Sequence, residues 1–260
     1  MITRYKELVS TSDELRRLAD AGEVTEPFDA IRADYQTRGR GQVGNGWESE
    51  DGKNLLISVY ARPQGVDVSR QFIVSMAVSL AVAETIAPCL STEERKGLKI
   101  KWPNDIYCGD GKMCGILCEN RLAGHAIFDT IIGVGLNVNQ EVFTSNAPNP
   151  ISIKQIRGAD TDIDALAESL ILNLRIRLAQ VDEGDDATIM RDYWAMTYRA
   201  DGDLHTFADA NGRFEARMTA IAPDGHMTLT TDGGERRTYT FKEVEHVIRL
   251  RDKREVTPNL

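Results

Sequence analysis

The stretch DYQTRGRGQVGNGWESEDGKNLLISVY, Asp34 to Tyr60, restricts the fold more than any other part of the chain. Gly39-Arg40-Gly41-Gln42-Val43-Gly44 satisfies the G-x-G-x-x-G spacing of dinucleotide-binding loops. Such a loop works where a helix opens at the third glycine, so that amides and helix dipole face a pyrophosphate. Here Gly44 is followed by further helix breakers and then by a run of β-formers, LLISVY. The match is accidental, and the segment reads as strand, glycine loop, strand. A P-loop is excluded because no Gly-Lys-Ser/Thr follows, and a kinase hairpin because no HRD or DFG element occurs downstream. Glycines let backbone amides approach a ligand closely, and the forks of Arg38 and Arg40 suit carboxylate or phosphate oxygens. Trp47 offers an apolar wall. A charged, mobile surface loop has the same composition, so this segment alone leaves both readings open.

The flanks predict an α+β fold. TSDELRRLADAG reads as a short helix capped by Ser12 or Thr11 and stopped at Gly22. FDAIRADYQ and KNLLISVYAR read as strands on either side of the loop. In VSRQFIVSMAVSLAVAETIA, Phe72, Met76, Leu80 and Ala83 recur at helical spacing. FIVSMAVSLAVA is too short for a membrane span and predicts a buried core helix. LKIKWP, KMCGILCEN and HAIFDTIIGVGLNVN predict short strands, with a hairpin at Asn120–Gly124. FTSNAPNPISIKQI reads as loop, and two helices follow it. From about Asp201 the pattern is all-β, broken by PDG and DGG turns, and suits a small barrel. The expected division is 1–200, 201–250 and a solvated tail, 251–260.

A formal charge of -9 argues against nucleic-acid or anionic-membrane partners, so an anionic ligand needs a local cluster of cations and amides. MITRYKELVSTSDELRRL has no apolar signal region, which predicts a cytoplasmic protein. Cys89, Cys108, Cys114 and Cys118 lack ligand spacing from any histidine and read as buried thiols. A second constellation, LKIKWPNDIYCGDGKMCGIL, gathers Lys101, Asn104, Asp105 and Lys112 around a turn. Lys112 heads an apolar strand, so its ammonium would project from the end of a sheet. Ordinary turn chemistry explains the same residues.

Taken together, DYQTRGRGQVGNGW, KWPND, KMCGIL and IGVGLNVN resemble, in this order, bacterial biotin protein ligases (biotin–acetyl-CoA-carboxylase ligases) of the single-function form. The resemblance implies a mixed sheet with helices on one face, class II synthetase-like, and a small C-terminal SH3-like β-barrel. It implies ATP-dependent attachment of biotin to a lysine of a biotin carboxyl carrier protein through biotinyl-5'-AMP, with Mg²⁺. Ser10, Thr11, Ser12 and Gln36 match the biotin head-group site, with Ser12 standing where asparagine is common. Arg40, Gly41 and Gln42 match the loop over biotin's arm and the phosphate. Lys112 matches the lysine at the biotin carboxylate, with Gly115 on the same strand. Asn104 and Asp105 match the place where the acceptor lysine arrives, Asp105 as its proton acceptor or a metal ligand. Trp47, Gly133, Gly135 and Asn137 match the adenosine side. Gln42 and Asn45 replace two arginines of the common loop, a loss that Arg38 would partly offset. The catalytic motifs begin by Ser10 and the chain is acidic, so no DNA partner is expected; the state is monomer or homodimer. Two rival functions remain: acyl transfer by a lipoate ligase or octanoyltransferase, and biotin binding without catalysis.

Overall fold

The computed structural model describes residues 1–41, 46–144 and 148–248. Its elements run β1 (Ile2–Leu8), α1 (Thr11–Asp20), β2 (Ala30–Gln36), β3 (Leu55–Ala61), α2 (Phe72–Ile86), α3 (Thr92–Lys96), β4 (Leu98–Lys101), β5 (Asp105–Cys108), β6 (Gly111–Ala123) and β7 (Ala126–Leu136). There follow α4 (Ile153–Arg157), α5 (Ile163–Asp182), α6 (Asp186–Met196), β8 (His205–Asp209), β9 (Gly212–Ile221), β10 (Met227–Thr231), β11 (Arg236–Tyr239) and β12 (Val244–His246).

Every residue of β3 is buried, which a strand tolerates only in the middle of a sheet covered on both faces. The sheet order is accordingly β1-β2-β3-β7-β6-β5-β4, parallel at β1–β2 and antiparallel elsewhere. Successive strand residues point to opposite faces. On β3, Leu55, Ile57, Val59 and Ala61 join the main core with α2, α5 and α6. Tyr60 points the other way, into a smaller cluster with Leu15 of α1, Ile31 and Ile131. The expectation of helices on one face is therefore corrected: α1 covers part of the opposite face. Helix α2 is largely apolar and buried at thirteen of its fifteen residues, as predicted for a core helix. With its flanking turns the segment Val68–Cys89 is long enough to cross a membrane, so length does not exclude a span; 72% of its apolar window is buried within the fold.

Three local readings change. The cap of α1 is Ser10, which accepts from Asp13 N–H, because the hydroxyls of Thr11 and Ser12 are drawn to Gln36 and Ser58. The stretch read as loop contains α4, started by a reciprocal Ser152/Gln155 capping box. Strand β1, with four exposed positions of seven, lacks the apolar alternation that marks a strand.

The C-terminal strands form a five-stranded antiparallel sheet, β11-β10-β9-β8-β12. Trp102 ties it to the first sheet. Its indole N–H donates to Gly225 O at 3.1 Å, and its ring lies 5.3 Å from that of Phe241, which also meets Phe72 at 5.6 Å. Phe72 N–H donates to Pro223 O at 3.0 Å. Trp102→Ala would empty a buried aromatic site between the sheets and is expected to cost about 3–5 kcal/mol in urea unfolding. A loss below about 1 kcal/mol would mean that Trp102 does not hold the two sheets together.

Candidate functional site

The site lies on the α1 face of the large sheet, over a patch where β6 and β7 carry glycine. Gly115 stands opposite Gly135, and Gly133 stands opposite Ser58 of β3. A Cβ at Gly135 would fall 2.6 Å from the Trp47 indole, one at Gly115 3.0 Å from it, and one at Gly133 2.7 Å from Ser12 Oγ. Only hydrogen fits at these positions. Trp47 is held there by its own backbone: its N–H donates to Gly39 O at 3.0 Å, beside an antiparallel bridge between Arg40 and Gly46. The described ends of the glycine segment, Arg40 and Gly46, thus pair as strand and lay Trp47 over the sheet.

One end of the cavity is polar and uncharged. Ser10, Thr11, Ser12 and Gln36 line it. Gln36 Oε1 accepts from Thr11 N–H at 2.7 Å and from the Thr11 hydroxyl at 3.0 Å.

The other end is ionic. Lys112, on β6, puts its ammonium 2.7 Å from Asp105 Oδ1, on β5, and 5.9 Å from the centre of the Trp47 ring. The turn before Asp105 is fixed by Asn104, whose side-chain amide donates to Ile116 O while its backbone carbonyl accepts from Ile116 N–H at 2.9 Å. Both Lys112 and Asp105 are mostly covered, so their attraction is screened less than at an open surface. Arg40 lies at the rim with its guanidinium 2.8 Å from both Asp13 and Glu119. Half-buried Lys101 sits beside this end, its ammonium 5.6 Å from the centre of the Tyr107 ring. Burial lowers its pKa; Asp105 opposes that shift and Lys112 adds to it. An acidic protein therefore lines one cleft with two cations, Lys112 and Arg40, each already matched to carboxylate.

Thirteen of the expected residues line this cavity. Arg40, Gly41, Trp47, Asn104, Asp105, Lys112 and the three glycines of β6 and β7 line it together with the polar group above. Asn137 does not line it: buried behind β6, it donates weakly to Lys112 O and Ile151 O, at 3.4 and 3.3 Å. It props the strand that carries Lys112. Arg38 is exposed and outside the lining, which leaves the expected offset without support. Gln42 and Asn45 lie outside the described residues. Sequence reasoning missed the carboxylates of Asp13 and Glu119 on Arg40, and Ser58 beneath the polar end. The one available signal for Ser58 was a lone hydroxyl inside the apolar run LLISVYA.

The site is thus a glycine-floored cleft with a neutral polar end and an ionic end, on a mixed sheet. Residues 23–137 match the model of the Biotin/lipoate A/B protein ligase family. The biotin–acetyl-CoA-carboxylase ligase of Mycobacterium tuberculosis is 31% identical over 171 residues, 66% of this chain and 61% of the relative. The bifunctional ligase/repressor BirA of Bacillus subtilis is 27% identical over 218 residues, 81% of this chain and 64% of the relative. The chain thus spans less than two thirds of the length of these curated relatives. The biotin protein ligase of Aquifex aeolicus, solved with biotin and ATP, superposes with a TM-score of 0.74 at 21% identity, covering 95% of this chain and 99% of that one, a likeness of fold.

Gly135→Ala is expected to push the Trp47 indole off the sheet and increase acrylamide quenching of the protein's tryptophan fluorescence. Gly46→Ala is the control, since its Cβ would meet nothing nearer than 3.7 Å. Equal quenching in both variants would show that the close approach at Gly135 does not hold the ring.

Proposed function

We propose that this protein is an ATP-dependent biotin–carrier ligase, joining biotin to a lysine of a biotin carboxyl carrier domain through biotinyl-5'-AMP. The observation that carries the reading is the pairing of Lys112 with Asp105 at the far end of the same cleft whose near end is built from hydroxyls and an amide.

The first step brings two anions together. A biotin carboxylate oxygen attacks the α-phosphorus of ATP, forming a C–O–P link as the bond to pyrophosphate breaks. The Lys112 ammonium meets the charge gathering on the reacting oxygens, and Arg40 neutralises phosphate once it turns from Asp13 and Glu119. The Trp47 wall and the glycine floor keep water from the mixed anhydride. In the second step a carrier lysine amine attacks the acyl carbon and AMP leaves. Asp105, close to this entry through the Asn104 turn, accepts the proton that the amine must lose.

Among the described residues no group of three or more His, Cys, Asp or Glu side chains converges as a metal site, and Asp105 is the one carboxylate in the lining. That donor set fits Mg²⁺ held chiefly by the triphosphate, with Asp105 as its single protein carboxylate. The ion, when bound, supplies charge neutralisation to the phosphates. We read the C-terminal sheet as an SH3-like barrel and residues 1–200 as the catalytic domain.

An octanoyltransferase would need an activated thiol, whereas burial raises the Cys89 and Cys114 pKa values and pushes Cys118 up to about 12. A lipoate site has no use for the hydroxyl and amide end, and a mere biotin binder none for a covered ammonium–carboxylate pair.

Lys112→Ala is expected to lower biotin-dependent ATP–pyrophosphate exchange by about 10²–10³-fold, the scale for removing one pre-set charge stabiliser. Arg40→Ala should also reduce it severely. Exchange that persists within about twofold in Lys112→Ala would remove the reaction centre from this cleft.

A further inference from the structure

Beneath the polar end lies a hydroxyl that does not reach the cavity. Ser58, fully buried on β3, donates to Thr11 Oγ1 at 2.8 Å and lies 2.9 Å from Ser12 Oγ. The direction of every bond in this group follows from one donor that cannot reverse. Thr11 backbone N–H must donate, so the atom it meets at 2.7 Å is the acceptor oxygen of Gln36. That oxygen can only accept, so the Thr11 hydroxyl proton points to it. Thr11 Oγ1 then receives its bond from Ser58, which commits the Ser58 proton. The contact between Ser58 and Ser12 is left with Ser12 as donor. The chain runs Ser12 to Ser58 to Thr11 to Gln36, one proton per link.

We propose that Ser58 is a positioning and specificity-determining residue: by taking the Ser12 proton and giving its own to Thr11, it leaves both hydroxyls facing the cavity as acceptors. The polar end then demands N–H donors from a ligand beside Thr11 and Ser12, and a carbonyl acceptor beside the free amide of Gln36. A cyclic urea meets both demands at once. A dithiolane meets neither. This rests on the biotin reading above and adds the residue that enforces the head-group choice. Gly133, opposite Ser58, leaves room for the arrangement, since any side chain there would strike Ser12 Oγ.

The test is biotin binding by titration calorimetry, followed by steady-state kinetics, on the wild-type chain, Ser58→Ala and Ser58→Thr. Loss of the link frees the Ser12 proton to rotate into the cavity and removes the bond that Thr11 Oγ1 receives. Ser58→Ala is expected to weaken biotin about tenfold in Kd and KM, the scale of one or two hydrogen bonds, with kcat and the KM for ATP unchanged. Ser58→Thr, which keeps the hydroxyl, should recover most of the affinity. A lactam analogue of biotin, with one ureido N–H replaced by CH₂, should bind wild type far more weakly than biotin, and that gap should narrow in Ser58→Ala. The analogue comparison on wild type needs no variant to fold. Equal affinity of wild type for biotin and lactam, or Ser58→Ala indistinguishable from wild type in biotin binding, overturns the inference alone. Wild-type protein that binds no biotin overturns the functional reading and this inference with it.

Discussion

The register between β6 and β7 is the constraint on which the rest of the structure depends. It sets Gly115 against Gly135 and Gly133 against Leu117, and so opens a flat place on one sheet face while the other face stays packed against α2. The same register carries Lys112 to the end of that place, and β5 pairs alongside to bring Asp105 to it. A slip of one residue would turn the glycines into the core and put Cys114 and Val134 under the indole.

Charge in this molecule is arranged locally. The chain carries a formal charge of -9, yet its cleft presents Lys112 and Arg40 with Lys101 close by. Each of the first two is met by carboxylate: Lys112 by Asp105, Arg40 by Asp13 and Glu119. Such pairing holds cationic side chains in place without ligand and leaves them able to exchange a protein carboxylate for a substrate oxygen. Covered Lys112 is held more firmly than rim-exposed Arg40, because solvent screens the rim pairs more.

Much of this was legible in the chain, for identifiable reasons. The core helix announced itself by apolar residues at helical spacing, Phe72, Met76, Leu80 and Ala83, and the glycine loop by the strand that follows it. KWPND marked the turn that delivers Asp105. Strand β1 stayed hidden because an edge strand with exposed charged positions has no alternation to detect. The cap of α1 was misplaced because three hydroxyls stand in a row, and tertiary hydrogen bonds, not local propensity, decide which one caps. The partners of Arg40 come from positions far apart in sequence, on α1 and β6, and no local pattern records such a meeting. Ser58 was silent for the opposite reason: one serine in an apolar strand looks like a tolerated polar residue until its neighbours are known.

The most direct test of the central claim, that Lys112 and Arg40 flank a centre where a carboxylate oxygen attacks the α-phosphorus, is an isotope transfer. Biotin labelled with oxygen-18 in both carboxylate oxygens is incubated with Mg-ATP, a biotin carboxyl carrier domain and this protein, and the nucleotide product is read by mass spectrometry. The account predicts AMP carrying one oxygen-18 atom, with the other retained in the amide of the biotinylated carrier. Unlabelled AMP, or ADP in its place, would contradict it.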